Sequence, residues 1–267
     1  NMDRNAPASL TEQHSAEETE QWLLETCDKY EAVKPILTPR FVPSCTDELL
    51  AELGRLQKVY QVPVQSHLSE NLSEIELVKQ LCPWSKYYGQ VYDRVGLFGG
   101  EARTVMAHCV YSGLEEIDKM KAQGVFIAHC PQSNINVASG IAPIRKYLDK
   151  GMNVGLGSDV AGGAHISMFR AMTDAIQVSK LYWRIKDQSA KPITMPEAFY
   201  LATIGGGSFW GKVGSFEKGF LFDAVVISDS RLPHPQPLRM EERLERVVYL
   251  SDDRDIMAKY VNGRKIL

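Results

Sequence analysis

Three short apolar segments of this chain each end in a side chain that can bind a metal ion, and this pattern constrains the fold more than any other feature of the sequence. The segments are residues 62–67, 104–108 and 153–159, which end in His67, His108 and Asp159. Short apolar runs that contain β-branched residues and stop at polar ones predict buried strands. We therefore expect the two histidines and the aspartate to lie at the carboxyl ends of strands in one sheet.

Predicted strands alternate with predicted helices along most of the chain. The strands cover residues 33–38, 62–67, 104–108, 125–128 and 153–159. Helices are predicted near residues 11–30, 46–60, 73–81, 112–124, 144–150 and 168–186 and from 194 onward. Such alternation is typical of an α/β fold with parallel strands. Because a TIM-type (β/α)₈ barrel carries its chemistry at the carboxyl ends of its strands, we interpret the chain as the later strands of such a barrel, with an open five-stranded sheet as the alternative.

The end of the chain has a different pattern. The apolar segments at residues 216–228 and 258–267 predict strands, and Asn262–Gly263 has the chemistry of a tight hairpin turn. We therefore predict two domains, a partial (β/α) barrel domain at residues 1–212 and a small β subdomain at residues 213–267.

Composition and charge exclude several classes of partner. With 44% hydrophobic and 24% charged residues the chain is ordinary for a globular protein, and no apolar run is long enough to cross a bilayer. A net charge of −3 without long Lys/Arg clusters argues against binding a nucleic acid polymer, so the expected partner is a small molecule. The five cysteines form no C-x-x-C pair, which predicts a reducing compartment, and we expect the cytoplasm.

The donor set His67, His108 and Asp159 has the composition of a transition-metal site. Neutral imidazoles and a carboxylate suit Zn²⁺ and also Fe²⁺, and three protein ligands with one open position are typical of catalytic zinc. A lone histidine at a strand end is more often an ordinary polar residue. Three metal-competent side chains at three strand ends of one sheet are hard to obtain from packing alone, so we predict a metal site.

Glu70 and the Arg40–Phe41 pair are the other candidate functional residues. A carboxylate three residues after His67 can carry a proton between water and a substrate if the strand-to-loop transition aims it at the metal; the alternative is a solvated glutamate that starts a helix. Arg40 offers paired donors to a carbonyl group, and Phe41 offers a face to a flat ring. The sequence alone favours the alternative, a surface arginine beside a core phenylalanine.

Six motifs of the chain resemble the amidohydrolase superfamily and, within it, the guanine-deaminating branch. They are Thr38-Pro-Arg-Phe41, Gln65-Ser-His-Leu-Ser-Glu-Asn71, Val105-Met-Ala-His108, Ile127-Ala-His-Cys-Pro-Gln-Ser-Asn134, Gly157-Ser-Asp-Val-Ala-Gly-Gly163 and Leu250-Ser-Asp-Asp-Arg254. Ser-His-x-Ser-Glu-Asn and Asp-Val-Ala-Gly-Gly are fairly specific, whereas His-Cys-Pro-x-Ser-Asn is shared by related deaminases and chlorohydrolases. The superfamily's His-x-His pair has no counterpart in this sequence.

The resemblance assigns roles to the metal-binding and acidic candidates. By this resemblance His67, His108 and Asp159 match zinc ligands on the fifth, sixth and eighth strands of a barrel. Glu70 matches the glutamate that moves protons, and Asp159 assists it. The barrel domain is accordingly expected to be a metal-dependent hydrolase.

The resemblance also implies a substrate and a reaction. Arg40 matches the residue that holds the carbonyl group of a purine, and Phe41 packs beside the ring. The implied reaction is the zinc-dependent hydrolytic deamination of guanine to xanthine and ammonia, carried out by a homodimer. Two alternatives stay open, which are an aminohydrolase acting on another aminated heterocycle and a catalytically silent scaffold or dimerising protein of this fold.

Overall fold

The computed structural model describes all 267 residues and divides into two compact units, Asn1–Ala128 and His129–Leu267. Each unit has its own secondary structure and its own hydrogen-bond network. The boundary predicted between residues 212 and 213 remains a prediction.

The first unit is built from parallel strands alternating with helices. Its elements are α1 (Ser15–Thr26), α2 (Asp47–Tyr60), β1 (Val64–Leu68), α3 (Leu72–Leu81), α4 (Gly89–Arg94), β2 (Thr104–His108), α5 (Leu114–Ala122) and β3 (Phe126–His129), whose last residue begins the second unit. Strand β2 lies between β1 and β3 and pairs with both in parallel, with Val64 opposite Thr104 and Met106 opposite Ile127. The α/β class with parallel strands is therefore confirmed.

Helix α2 shows how the sequence determines the local structure. The side chain of Thr46 accepts a hydrogen bond from the Leu49 amide at 3.1 Å and caps the helix, as the sequence predicts. The leucines at positions 49, 50, 53 and 56 recur at helical spacing, and all four are buried. Gln61 adopts the left-handed conformation and ends the helix directly before the segment that leads into β1.

The predicted strand at residues 33–38 is wrong. Only Leu37 pairs, through one isolated parallel bridge to Val64. The flanking Pro35 and Pro39 have no amide proton to donate to a ladder, so the pairing cannot extend in either direction. The first helix is also shorter than predicted, since it covers only Ser15–Thr26.

The second unit combines helices, one further strand of the α/β pattern and a separate small sheet. Its elements are α6 (Pro131–Asn136), α7 (Ile144–Asp149), β4 (Asn153–Leu156), α8 (Met168–Ile185), α9 (Met195–Tyr200), a π-helical turn (Leu201–Gly205), β5 (Ala224–Ile227), α10 (Met240–Leu250), β6 (Ile256–Val261) and β7 (Arg264–Lys265). The sequence did not predict α6, which begins at Pro131, or α10, which follows the prolines at positions 233, 235 and 237. No helix of the chain has the length and apolarity that a membrane span requires.

The small sheet has the order β5-β6-β7, and all of its pairings are antiparallel. Asn262 and Gly263 join β6 to β7 with φ of +48° and +75°. Positive φ at both central residues is what a tight type I′ hairpin requires, and Asn-Gly is the favoured sequence for it. The predicted turn is therefore confirmed, and the predicted strands near the end of the chain are confirmed in part, over Ala224–Ile227, Ile256–Val261 and Arg264–Lys265.

A bidentate ion pair joins α7 to α9 in the second unit. The guanidinium of Arg145 donates to both carboxylate oxygens of Glu197, at 2.8 and 2.9 Å, and its Nε donates to the Lys191 carbonyl. Hydrogen bonding to Arg145 lowers the pKa of Glu197 from 4.5 to about 2. Thr194 caps α9 and forms a reciprocal capping box with Glu197, as predicted.

We expect Glu197→Gln to lower the free energy of unfolding at neutral pH by about 1 kcal/mol, a modest value because the carboxylate is partly exposed to solvent. A carboxyl group whose pKa is lowered by folding stabilises the protein above its unfolded pKa, and that contribution is lost as the pH falls through the folded pKa. The difference between variant and wild type should therefore shrink between pH 4.5 and about 2. Urea unfolding at several pH values measures this difference in the free energy of unfolding, and the exposed Glu217→Gln is the control. A difference between Glu197→Gln and the wild type that does not change with pH would contradict the role given to the ion pair.

Candidate functional site

The imidazole of His67, near the end of β1, is oriented by a backbone carbonyl. Its Nδ1 lies 2.6 Å from the carbonyl oxygen of Arg40. A carbonyl can only accept a hydrogen bond, so Nδ1 carries the proton, and in the neutral ring Nε2 then has the lone pair. This is the tautomer in which a histidine can bind a metal ion through Nε2.

His108 ends the neighbouring strand β2 and places a second imidazole against the first. Its side chain is buried, with 1% exposure, and its ring stacks on that of His67 with the centroids 5.2 Å apart and the planes 26° from parallel. The backbone is left-handed at His108 and Cys109, with φ of +73° and +49°, so the regular strand ends there. Adjacent parallel strands thus bring together two of the three predicted ligands.

Glu70 lies beside this imidazole pair. Its carboxylate Oε2 is 3.7 Å from Nε2 of His108, and its side chain is 18% exposed. Ser69, directly before it, has a left-handed backbone with φ of +48°, which turns the chain out of β1 before α3 begins. The structure therefore places the predicted proton carrier next to the two predicted histidine ligands.

Arg40 and Phe41 also lie beside His67. The Phe41 ring is half-buried, with its centroid 6.3 Å from that of His67. The Arg40 side chain is exposed, and its guanidinium carbon lies 5.5 Å from the centre of the Phe41 ring. An exposed guanidinium and a half-buried ring beside the histidine pair are compatible with contacts to a flat polar ligand, and their binding role stays a prediction.

The segment that carries Arg40 is held to β1 by buried hydroxyl groups. Ser66 Oγ donates to the Pro39 carbonyl at 2.7 Å, and the Tyr92 hydroxyl donates to the His67 carbonyl at 3.0 Å. Tyr92 is fully buried, and burial raises the pKa of its hydroxyl, so the group stays protonated and acts as a donor. These bonds fix the backbone on both sides of the His67–Arg40 contact.

Two buried carboxylates, Glu74 on α3 and Glu116 on α5, contact the turn that carries Glu70, and the sequence alone does not indicate either of them as functional. Burial raises the pKa of both groups, although each carboxylate accepts several hydrogen bonds. The only sequence signal for Glu74 is its spacing of three residues from the helix-capping Asn71. Nothing in the sequence around Glu116 indicates burial, because its partners lie far away along the chain.

Asp159 belongs to the second unit, where helix α6 and a glycine loop position it. Its Oδ2 accepts a hydrogen bond from Ser133 Oγ, and its carbonyl accepts one from the Gly163 amide at 2.6 Å. A Cβ atom at Gly162 would lie 2.7 Å from Asp159 Oδ2 and 2.8 Å from Ser133 Oγ, so this position has no space for a side chain. Helix α6, which the sequence did not predict, supplies the serine.

The three predicted ligands fit a zinc ion in their chemistry. Two imidazoles and one carboxylate are a common donor set for catalytic zinc, and the carbonyl-oriented His67 has the tautomer that such a site needs. The carbonyl group of Arg40 serves as the outer partner that metal-binding histidines usually have. Zinc and ferrous iron both accept these donors.

Comparison with known proteins identifies relatives over the whole chain. The model of the amidohydrolase family matches residues 1–266. The chain is 40% identical to the guanine deaminase of Mus musculus, over 96% of this chain and 59% of that protein, and 39% identical to the guanine deaminase of Dictyostelium discoideum, over 99% and 60%. It therefore spans about 60% of the length of these two curated relatives.

A solved structure shows the same fold. The crystal structure of guanine deaminase from C. acetobutylicum with bound guanine in the active site superposes with a TM-score of 0.96 at 52% identity, over 100% of this chain and 64% of that one. The expected α/β fold of the amidohydrolase kind is therefore confirmed.

We expect ¹⁵N NMR of histidine-labelled, chelator-treated protein at neutral pH to show His67 with a protonated Nδ1 and an unprotonated Nε2, because the Arg40 carbonyl selects that tautomer. The exposed His14 is the control and should show the mixture of tautomers found in water. A protonated Nε2 at His67 with an unprotonated Nδ1 would contradict the assignment.

Proposed function

The chain belongs to the amidohydrolase family, and from that premise we propose that it carries out the zinc-dependent hydrolytic deamination of guanine to xanthine and ammonia. The observation that carries the proposal is the stacked pair of His67 and His108 with the Glu70 carboxylate beside it. Two imidazoles provide metal ligands, and the carboxylate provides a group that can accept and release a proton at the same place.

We propose that His67, His108 and Asp159 are metal ligands, with Zn²⁺ as the expected ion and Fe²⁺ as the other ion that suits the donors. A zinc ion bound there supplies Lewis acidity that lowers the pKa of a water molecule toward neutrality. The Arg40 carbonyl keeps the His67 ring in its binding tautomer. Ser133 holds the carboxylate of Asp159 in one orientation.

Proton transfer is the proposed task of Glu70. In the reaction a C–O bond forms at the amino-bearing carbon of guanine and the C–N bond to the amino group breaks. Glu70 takes one proton from the attacking water and gives it to the ring nitrogen. Asp159 takes the remaining proton of the newly added hydroxyl group and passes it through Glu70 to the amino group. Neutral ammonia then leaves as the hydroxyl group becomes a carbonyl, and both carboxylates return to their starting state.

Substrate orientation is the proposed task of Arg40 and Phe41. The guanidinium of Arg40 donates hydrogen bonds to the purine carbonyl, and the Phe41 ring packs against the flat heterocycle. Both side chains have solvent access, which a residue that meets an incoming ligand needs.

We further propose that the protein acts in the cytoplasm as a homodimer on a small-molecule purine. All five cysteines are free thiols, which agrees with a reducing compartment. The dimer is tested by light scattering on the purified protein, for which a particle of twice the 29.9 kDa chain mass is expected. A particle of single chain mass at micromolar concentration would refute the dimer.

We expect Glu70→Gln to lower kcat for ammonia release from guanine by a factor of about 10² to 10⁴, the usual contribution of a general acid–base group. Zinc content, measured by elemental analysis, should stay that of the wild type, because Glu70 is not a proposed ligand. The control Glu76→Gln changes an exposed carboxylate on α3 and should leave both quantities unchanged. Full activity in Glu70→Gln would refute its role.

A substrate panel tests the proposed substrate. Ammonia release is measured with guanine, adenine, cytosine and aminated triazines, and guanine should be turned over with the highest kcat/KM. Turnover of another heterocycle without turnover of guanine would refute guanine as the substrate but support the proposed hydrolytic deamination. Turnover of none, with no zinc bound after loading, would instead favour a silent scaffold of this fold.

A further inference from the structure

We propose that the buried carboxylates of Glu74 and Glu116, called here the carboxylate clamp, are positioning residues that hold the Ser69–Glu70 turn so that Glu70 faces His108. The inference rests on the proposed role of Glu70 in proton transfer. It assigns a task in the reaction to two residues on two different helices, α3 and α5.

The clamp holds the turn at two consecutive residues. Glu74 Oε2 accepts a hydrogen bond from the Glu70 amide at 3.0 Å, and Glu116 Oε2 accepts one from the Ser69 hydroxyl at 2.8 Å. Ser69 has a left-handed backbone with φ of +48°, which a non-glycine residue rarely adopts unless its surroundings hold it. The two carboxylates supply that support on either side of the peptide bond between Ser69 and Glu70.

The remaining carboxylate oxygens of Glu74 and Glu116 both accept hydrogen bonds from the dipeptide Tyr88–Gly89. The Tyr88 hydroxyl donates to Glu74 Oε1 at 2.6 Å, and the Gly89 amide donates to Glu116 Oε1 at 2.7 Å. Each carboxylate therefore uses one oxygen for the turn and the other for the same dipeptide at the start of α4. Through these hydrogen bonds, each carboxylate connects the Ser69–Glu70 turn to the buried start of α4.

The geometry at the start of α3 shows that Glu74 does more than cap the helix. Asn71 is the N-cap, and its side chain accepts from the Glu74 amide at 2.9 Å. In an ordinary capping box the glutamate would reach back to the amide of the N-cap residue. Here the carboxylate bonds instead to the amide of Glu70, one residue earlier. The bond thus holds the residue that transfers the proton.

The burial of the clamp also points to a specific task. Glu74 and Glu116 are only 6% and 1% exposed. A carboxyl group removed from water is costly to accommodate, and apolar residues stabilise helix packing without that cost. A pair of buried carboxylates around one turn is therefore better explained by precise placement of that turn than by stability alone.

We expect Glu74→Gln and Glu116→Gln each to lower kcat for guanine by a factor of about 10 to 100, the usual effect of losing an outer partner of a site. A glutamine side chain has the same shape but only one acceptor oxygen, so it can keep one of the two hydrogen bonds of each carboxylate. KM should change by less than about twofold and zinc content should not change, because the clamp contacts neither substrate nor metal. Glu76→Gln and Glu115→Gln, exposed neighbours on the same helices, are the matched controls and should behave as wild type.

Hydrogen exchange of the Glu70 amide gives a second readout that does not depend on activity. We expect this amide to exchange at least about tenfold faster in Glu74→Gln than in the wild type or in Glu76→Gln, because its acceptor is weakened or lost.

If the wild type does not turn over guanine, the proposed function fails, and the exchange rate still decides whether the clamp holds the turn. If a glutamine variant does not fold, Tyr88→Phe tests the clamp by removing only one donor from Glu74, and a lower kcat is expected.

The inference is overturned by either of two results. The first result is that the wild type turns over guanine and both glutamine variants have the same kcat as the wild type. This result would show a purely structural role, even if the melting temperatures of the variants were lower. The other is an unchanged exchange rate of the Glu70 amide in folded Glu74→Gln.

Discussion

The hydrogen bond between the His67 imidazole and the Arg40 carbonyl is the contact on which the account of the site depends. It fixes the proton on Nδ1, so the nitrogen that can bind a metal is determined by the backbone of a neighbouring segment. It also brings Arg40 and Phe41 to the end of β1, although that segment pairs with β1 only through Leu37. Buried hydroxyl groups of Ser66 and Tyr92 hold both sides of the contact. One carbonyl thus connects the proposed metal chemistry with the proposed substrate contacts.

The functional candidates lie where regular strands stop. Ser69, His108 and Asp159 all have left-handed backbones, which cost free energy in non-glycine residues. At two of these residues the local surroundings offset this cost, through the carboxylate clamp at Ser69 and through Ser133 and the glycine loop at Asp159. At the ends of strands in an α/β fold, side chains can therefore point in directions that a regular strand does not allow. Hydrogen bonds from neighbouring polar groups hold them in these directions.

The amino-acid sequence predicts the parts of this structure that follow from local patterns. Apolar runs give β1 to β4, capping residues give the start of α2 and of α9, and Asn262–Gly263 gives the terminal hairpin. The sequence does not predict contacts between residues that are far apart along the chain. The clamp depends on a bond between Ser69 and Glu116, which are 47 positions apart. Helix α6 is six residues long and too short for a periodic pattern, so its serine partner for Asp159 was not predicted.

The central proposal is that His67, His108 and Asp159 share one metal ion, and X-ray diffraction from zinc-loaded crystals at the zinc absorption edge tests it most directly. The account predicts a single strong anomalous peak with Nε2 of His67, a ring nitrogen of His108 and a carboxylate oxygen of Asp159 each about 2.0–2.2 Å away, the usual range for these ligands. A peak elsewhere, or one at this place that His67 does not coordinate, would contradict the account.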